Sequence, residues 1–279
     1  MRMSRAEFMK WPNKVITLMG MSGVGKTTLA SMLPTDTWFH YSADYRIGTR
    51  YLREPILDNI KRQAMEQPFL RDLVLSDSLS FRTNITFHHL KPIATFLGKI
   101  GDPARGGISQ EEFIRRQRLH RQAEINAVRD VAAFIDKARN LYGRTHFLND
   151  TGGSVCELGD AEIWDELAAH SLIVYLRADK DMEEMLIQRA KADPKPLYYD
   201  EEFLAASLAT YLAEQGLAST DEMEPDDFVQ WVFPRLIAHR RPLYERIAEK
   251  YGYTVDARLV QDVRSEQDVL ELIGAALEE

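Results

Sequence analysis

The residues Gly20-Met-Ser-Gly-Val-Gly-Lys-Thr27 have the spacing G-x-x-x-x-G-K-[ST], and their types say what such a stretch can hold. Gly20, Gly23 and Gly25 let the main chain turn tightly and aim successive amides inward, which makes a nest for an anion. A helix starting near Lys26 adds its positive end to the same place. The Lys26 ammonium then reaches the β- and γ-phosphates of a nucleotide, and the Thr27 hydroxyl faces Mg²⁺. Ser22, Val24 and Thr28 complete the run that touches ATP. A chance match on a glycine-rich turn is the bland alternative, and a strand before the loop with a helix after it argues against that.

Three other segments place carboxylates and cations where phosphoryl chemistry uses them. Ser42-Ala-Asp44 follows a candidate strand, so Asp44 projects from a strand's carboxyl end. A carboxylate there can hold an acceptor hydroxyl in line with the γ-phosphate and take its proton; a helix N-cap is the alternative. Asn149-Asp150-Thr-Gly-Gly-Ser154 follows another strand. Asp150 suits a carboxylate facing Mg²⁺, and Gly152 and Gly153 leave main-chain amides open to a substrate. A plain strand-to-helix turn competes with that reading. From Leu186 to Leu197 a helix runs into a proline-punctuated loop with cations, as in a lid closing over ATP. Lys195 can meet charge on the transferring phosphoryl group and Arg189 can stack on the base, unless the loop is simply solvated surface.

The elements that must position these groups are legible as apolar runs. Val15 to Met19 enters the glycine turn, and Lys26 to Leu33 leaves it as a helix that Pro34 stops. Trp38 to Tyr41, His146 to Leu148, Leu172 to Leu176 and Tyr253 to Val255 are further candidate strands, separated by helical patterns. Short buried strands alternating with helices predict a three-layer α/β/α fold with a mostly parallel five-stranded sheet. The stretch from Pro55 to Gly143 carries no convincing strand and reads as a large helical insertion or acceptor-binding lid. Residues 1–54 and 144–279 then form the nucleotide-binding core and 55–143 the insertion. Ser109 with Glu112 makes a capping-box start for a helix running to Gly143. Its first half, Arg115 to Arg121, is basic; its second half carries Val128, Val131, Ala132, Ile135 and Ala138 on one face. Asp200 to Gln215 and Pro225 to Lys250 are further helices, and Ser265 caps a last one. There is no internal repeat and no low-complexity tract.

Composition bounds the rest. Of 279 residues 45% are hydrophobic and 28% charged, an ordinary globular mixture that can bury a sizeable core. The single Cys156 cannot form an internal disulfide, which fits a reducing, cytoplasmic setting. Met1 to Trp11 has no continuous apolar stretch of the secretory kind, and no run approaches the roughly 18 apolar residues of a membrane span. A net charge of −8 disfavours a broad nucleic-acid footprint. His88 and His89 are adjacent, so a helix points them apart and they make a poor metal pair; packing or surface roles suit them better. Cys156 reads as a small buried residue. Arg115, Arg116, Arg118 and Arg121 are either a solvated helix face or an acceptor site for an acidic or phosphorylated molecule.

The order of these motifs resembles the shikimate kinase branch of the small P-loop kinases. In that family the phosphate loop is followed by an aspartate motif after strand two and T-G-G-G after the central strand. A lid of the form L-x-x-R…D…R-P-L-L and a late R-x-P-L-Y-x-E/x-x-A helix come next. This chain has Asp44, Thr151-Gly152-Gly153, Leu186 to Leu197 and Arg240-Arg-Pro-Leu-Tyr-Glu-Arg-Ile-Ala248 in that order. The resemblance covers Val15 to Asp44 and Thr145 to Asp256, and not the insertion. It implies a P-loop kinase fold in which Asp44 contacts the acceptor hydroxyl and Gly152 and Gly153 line the acceptor pocket. It further implies that Arg240 clamps an acid group on the acceptor, Arg189 lies on adenine and Lys195 is the lid cation. Phe113 with Arg115 or Arg116 loosely echoes the family's acceptor-binding F-R pair.

Departures from the pattern argue against shikimate itself as acceptor. Ser42 stands where the family has its first acidic residue, and Asp150 where it has a neutral one, as if the metal-side carboxylate had moved between strand ends. Ser154 replaces the third glycine, and Lys195 replaces an arginine and so loses the bidentate fork. The expected function is ATP- and Mg²⁺-dependent phosphoryl transfer to an alcohol of a small, acidic molecule. A nucleotide-gated regulatory ATPase with a protein partner, and a kinase acting on a nucleotide or nucleic-acid end, are the alternatives.

Overall fold

The computed structural model describes residues 1–278. Five parallel strands form one sheet in the order β2-β3-β1-β4-β5. They are β1 (Val15–Met19), β2 (Trp38–Ser42), β3 (His146–Asp150), β4 (Leu172–Arg177) and β5 (Gly252–Asp256). All five residues of β1 are buried, as are the first five of β4, so both faces of the sheet centre are covered. Because the strands are parallel, their carboxyl ends emerge at one edge. The register pairs Leu18 with Asp150 and Ser42 with Asp150, which lines up the ends of β1, β3 and β2.

The helices are α1 (Arg5–Lys10), α2 (Lys26–Ser31), α3 (Ala43–Arg46), α4 (Arg53–Glu66), α5 (Pro68–Leu75) and α6 (Lys91–Leu97). After them come α7 (Gln110–Asn140), α8 (Ala161–His170), α9 (Lys180–Ala192), α10 (Glu201–Gln215), α11 (Pro225–Tyr251) and α12 (Glu266–Ala275). Side-chain caps start several of them: Asp179 accepts from Met182 N, Asp200 from Glu202 N and Phe203 N, and Ser265 from Asp268 N. At α7 only half of the expected box forms. Ser109 Oγ accepts from Glu112 N, while the Glu112 carboxylate turns to Arg115 and Arg116. The opening helix α1 was absent from the strand-and-helix pattern above, although Ser4 and Glu7 make a complete capping box there.

By contact the chain divides into two compact units. One comprises Met1–Ala43, Glu124–Pro194 and the chain from Val229 on; it contains the sheet and a core that includes Phe8, Ile16, Leu18, Leu29, Leu172 and Val174, all fully buried. The other comprises Asp44–Ala123 and Lys195–Phe228. It is helical and packs aromatic rings together: Phe113 with Tyr199, Tyr199 with Phe228, and Tyr211 edge-on to Phe228 at 5.3 Å. No helix among the described residues is long and apolar enough to cross a membrane.

Candidate phosphate-binding site

The turn between β1 and α2 has left-handed backbone at Gly20, Gly23 and Gly25, with φ of 146°, 94° and 102°. Side chains other than hydrogen are strained there. Space makes the same demand: a methyl carbon at Gly25 would lie 2.7 Å from Val260 Cγ1, and one at Gly20 would lie 2.8 Å from the Leu176 carbonyl oxygen. Gly25 ends the turn and Lys26 opens α2, so the free amides of a helix start sit at the end of the glycine run. Lys26 is buried, and its ammonium donates to the carbonyl oxygens of Gly20 (2.6 Å) and Met21 (3.1 Å). A buried cation folded onto the loop it belongs to fits an anion there.

Thr27 Oγ1 donates to Asp150 Oδ2 at 2.8 Å. The pairing of Leu18 with Asp150 is what brings this carboxylate beside the extension of β1. His40 Nε2 lies 3.6 Å from the same oxygen. In a parallel pair, partners share a face and alternate residues follow them, so His40 and Ser42 of β2 lie on the face of Asp150. His40 escapes a reading by motif, because only the strand register connects it to Asp150. A hydroxyl and a carboxylate are hard oxygen donors that suit Mg²⁺, which takes most of its other ligands from phosphates and water. Among the described residues no cluster of three or more His, Cys, Asp or Glu is set to hold a metal alone.

The Thr151–Ser154 turn adjoins this loop. Thr151 donates to the Leu18 carbonyl through both its amide (3.2 Å) and its hydroxyl (2.9 Å), tying the turn to the end of β1. A methyl carbon at Gly153 would lie 2.8 Å from the Ser22 nitrogen and closer still to Ser22 Oγ, so the two loops touch where Gly153 has no side chain. Arg189, an exposed residue of α9, is also at the loop: its guanidinium nitrogens lie 3.6 and 3.9 Å from a methyl carbon placed on Gly23.

Arg240 is held inside the protein. Its Nη2 pairs with Glu157 Oε2 at 2.6 Å and its Nη1 donates to the Gly153 carbonyl at 3.1 Å. Burial works against its charge, but Glu157 outweighs this and raises the guanidinium pKa further. Burial likewise pushes the Cys156 thiol well above its ordinary value, so it stays protonated and unreactive. The remaining expected site residues belong to the helical unit. Asp44 is half-buried in the first turn of α3, two residues beyond β2. Lys195 is exposed in the segment between α9 and α10. Arg115 pairs with Glu112, and buried Arg116 is bound to Glu112, the Phe96 carbonyl and Asn59 Oδ1.

No protein-family model and no curated protein sequence matches the chain. Among solved structures it is similar to the shikimate kinase from Bacteroides thetaiotaomicron, at 16% identity and a TM-score of 0.44, over 95% of this chain and 99% of that one. The parallel order β2-β3-β1-β4-β5, with the glycine loop leaving the central strand, makes this an α/β fold whose phosphate-loop turn sits at the carboxyl end of the sheet's middle strand.

Proposed function

We propose that the chain is an ATP-dependent phosphotransferase that passes the γ-phosphate to a hydroxyl of a small, acidic acceptor, as a member or near relative of the shikimate kinase branch. The observation that carries this reading is the Thr27–Asp150 hydrogen bond beside a glycine turn that already folds a buried lysine inward. The amides of Gly23 to Thr28 and the Lys26 ammonium hold phosphate oxygens, with Lys26 exchanging its carbonyl partners for them. Thr27 and Asp150 hold Mg²⁺, which supplies positive charge to the phosphates. Arg189 lies against the base. Asp44 accepts the proton of the attacking hydroxyl on a carboxylate oxygen as the new P–O bond forms and ADP leaves, and Lys195 counters charge on the moving phosphoryl group. Arg115 and Arg116 are paired with Glu112, and Arg118 with Glu201. Two carboxylates thus offset part of the charge of these three arginines, which favours a small acceptor over a nucleic-acid end.

The test is acceptor-dependent ADP release across hydroxy acids, sugars, nucleosides and polynucleotide ends, with mass spectrometry of the product. Asp44→Asn is expected to keep ATP affinity and lose roughly 10²- to 10⁴-fold in turnover. Hydrolysis that only a protein partner stimulates, with no phosphorylated acceptor, overturns the reading in favour of a regulatory ATPase.

A further inference from the structure

Arg240 and Tyr244 stand one turn apart on α11, so their side chains face the same way. Both donate to one acceptor. Arg240 Nη1 reaches the Gly153 carbonyl oxygen at 3.1 Å, and the Tyr244 hydroxyl reaches it at 3.0 Å. The other arm of Arg240 is fixed by Glu157, whose side chain is fully buried and which closes the short helical turn Val155–Glu157 that follows Gly153. Between them, Ser154 Oγ donates to buried Glu124 Oε2 at 2.7 Å. The Gly152–Ser154 turn is therefore pinned at its carbonyl, at its next side chain and at its following helical turn.

What the pinned residue touches gives the arrangement its meaning. Gly153 lies so close to the main chain of Ser22 that no side chain fits between them. Ser22 is inside the phosphate loop. A shift of Gly153 toward the loop collides with the Ser22 amide, and a shift away leaves that amide without its backing. An arginine meant for an acceptor's acid group would need a free fork. Here both terminal nitrogens are engaged, and withdrawing them would leave the buried Glu157 carboxylate facing the His239 imidazole, 3.6 Å away, in place of a fixed cation.

We propose that Arg240 and Tyr244 are positioning residues that set the phosphate loop at Ser22 through the Gly153 carbonyl, and that Arg240 does not grip the acceptor. The nucleotide arm of the test rests on the phosphate-loop reading above; the exchange arm does not. Tyr244→Phe removes one donor and keeps the ring, and Arg240→Lys keeps the charge without the fork. Hydrogen exchange of the full-length chain is followed in peptides covering 20–25, 150–157 and, as a control, 172–177. Mg·ADP affinity is measured by titration. Both variants are expected to exchange faster at 150–157 and at 20–25 with the control unchanged, and to bind Mg·ADP roughly tenfold more weakly. Unchanged exchange at 20–25 overturns the proposal, and so does an equal rise in all three peptides, which marks general loosening. If wild-type protein binds no Mg·ADP, the functional reading fails, while the exchange comparison still decides the positioning role.

Discussion

Replacing Gly153 by alanine places a methyl carbon 2.8 Å from the Ser22 nitrogen, whereas ordinary contact begins near 3.4 Å. The Ser22 hydroxyl can rotate out of the way. The nitrogen cannot, because it is main chain in a loop held on one side by the Gly20, Gly23 and Gly25 conformations and on the other by α2. The loop tip must therefore recoil by roughly half an ångström, which is overpacking of a close-packed contact and costs about 1–3 kcal/mol. If that strain opposes the phosphate-binding conformation, nucleotide affinity falls by roughly 5- to 150-fold. The assay is titration of a fluorescent ADP analogue with Mg²⁺, with thermal unfolding measured in parallel. Adding Ser22→Gly removes the conflict with the hydroxyl and leaves the one with the nitrogen, so it should restore little. Wild-type affinity in Gly153→Ala, with an unchanged melting temperature, refutes the claim that the two loops are in obligatory contact.

Thr27→Ala and Asp150→Asn should each reduce the Mg²⁺-dependent part of nucleotide binding by about tenfold or more while sparing metal-free nucleotide, read by titration with and without Mg²⁺. Gly25→Ala combines a left-handed backbone with a close approach to Val260, and should destabilise the protein by about 2 kcal/mol or more in chemical denaturation. Glu112 is held down to a pKa of about 2, by its hydrogen bond with Arg115 first and by Arg116 as well, against the opposing effect of burial. A lowered carboxylate contributes stability that is present above its unfolded pKa of 4.5 and is lost as pH falls toward 2. Glu112→Gln should thus cost about 1 kcal/mol at pH 7, after allowance for solvent screening, and much less near pH 2. A difference that does not change with pH would count against the pairing.

What could be read from the sequence follows from where physical constraint is local. Val15–Met19 and Leu172–Leu176 announce themselves because strands buried on both faces are apolar at nearly every position, buried Thr17 being satisfied by Ser171. Their neighbours run further than the apolar pattern suggests, since β3 ends on Asp150 and β5 on Asp256, polar residues with no apolar mark. The glycine loop is legible for the same reason: left-handed backbone and close approach are demands on single residues. Partner choice is not local. An arginine in the Arg240 motif is recognisably a carboxylate fork, but nothing nearby says that the carboxylate is Glu157, 83 residues earlier. Arg116 likewise finds Asn59 and the Phe96 carbonyl from other helices. His40 depends on strand register, which pairs β2 with a strand more than a hundred residues later in the chain.

The most direct measurement is calorimetric titration of the folded chain with Mg·ATP, alongside Lys26→Ala. Saturable one-site binding that weakens without Mg²⁺ and is largely lost in the variant is the expected result. A folded wild-type protein that takes up no nucleotide, or a Lys26→Ala protein that binds as tightly as wild type, contradicts it.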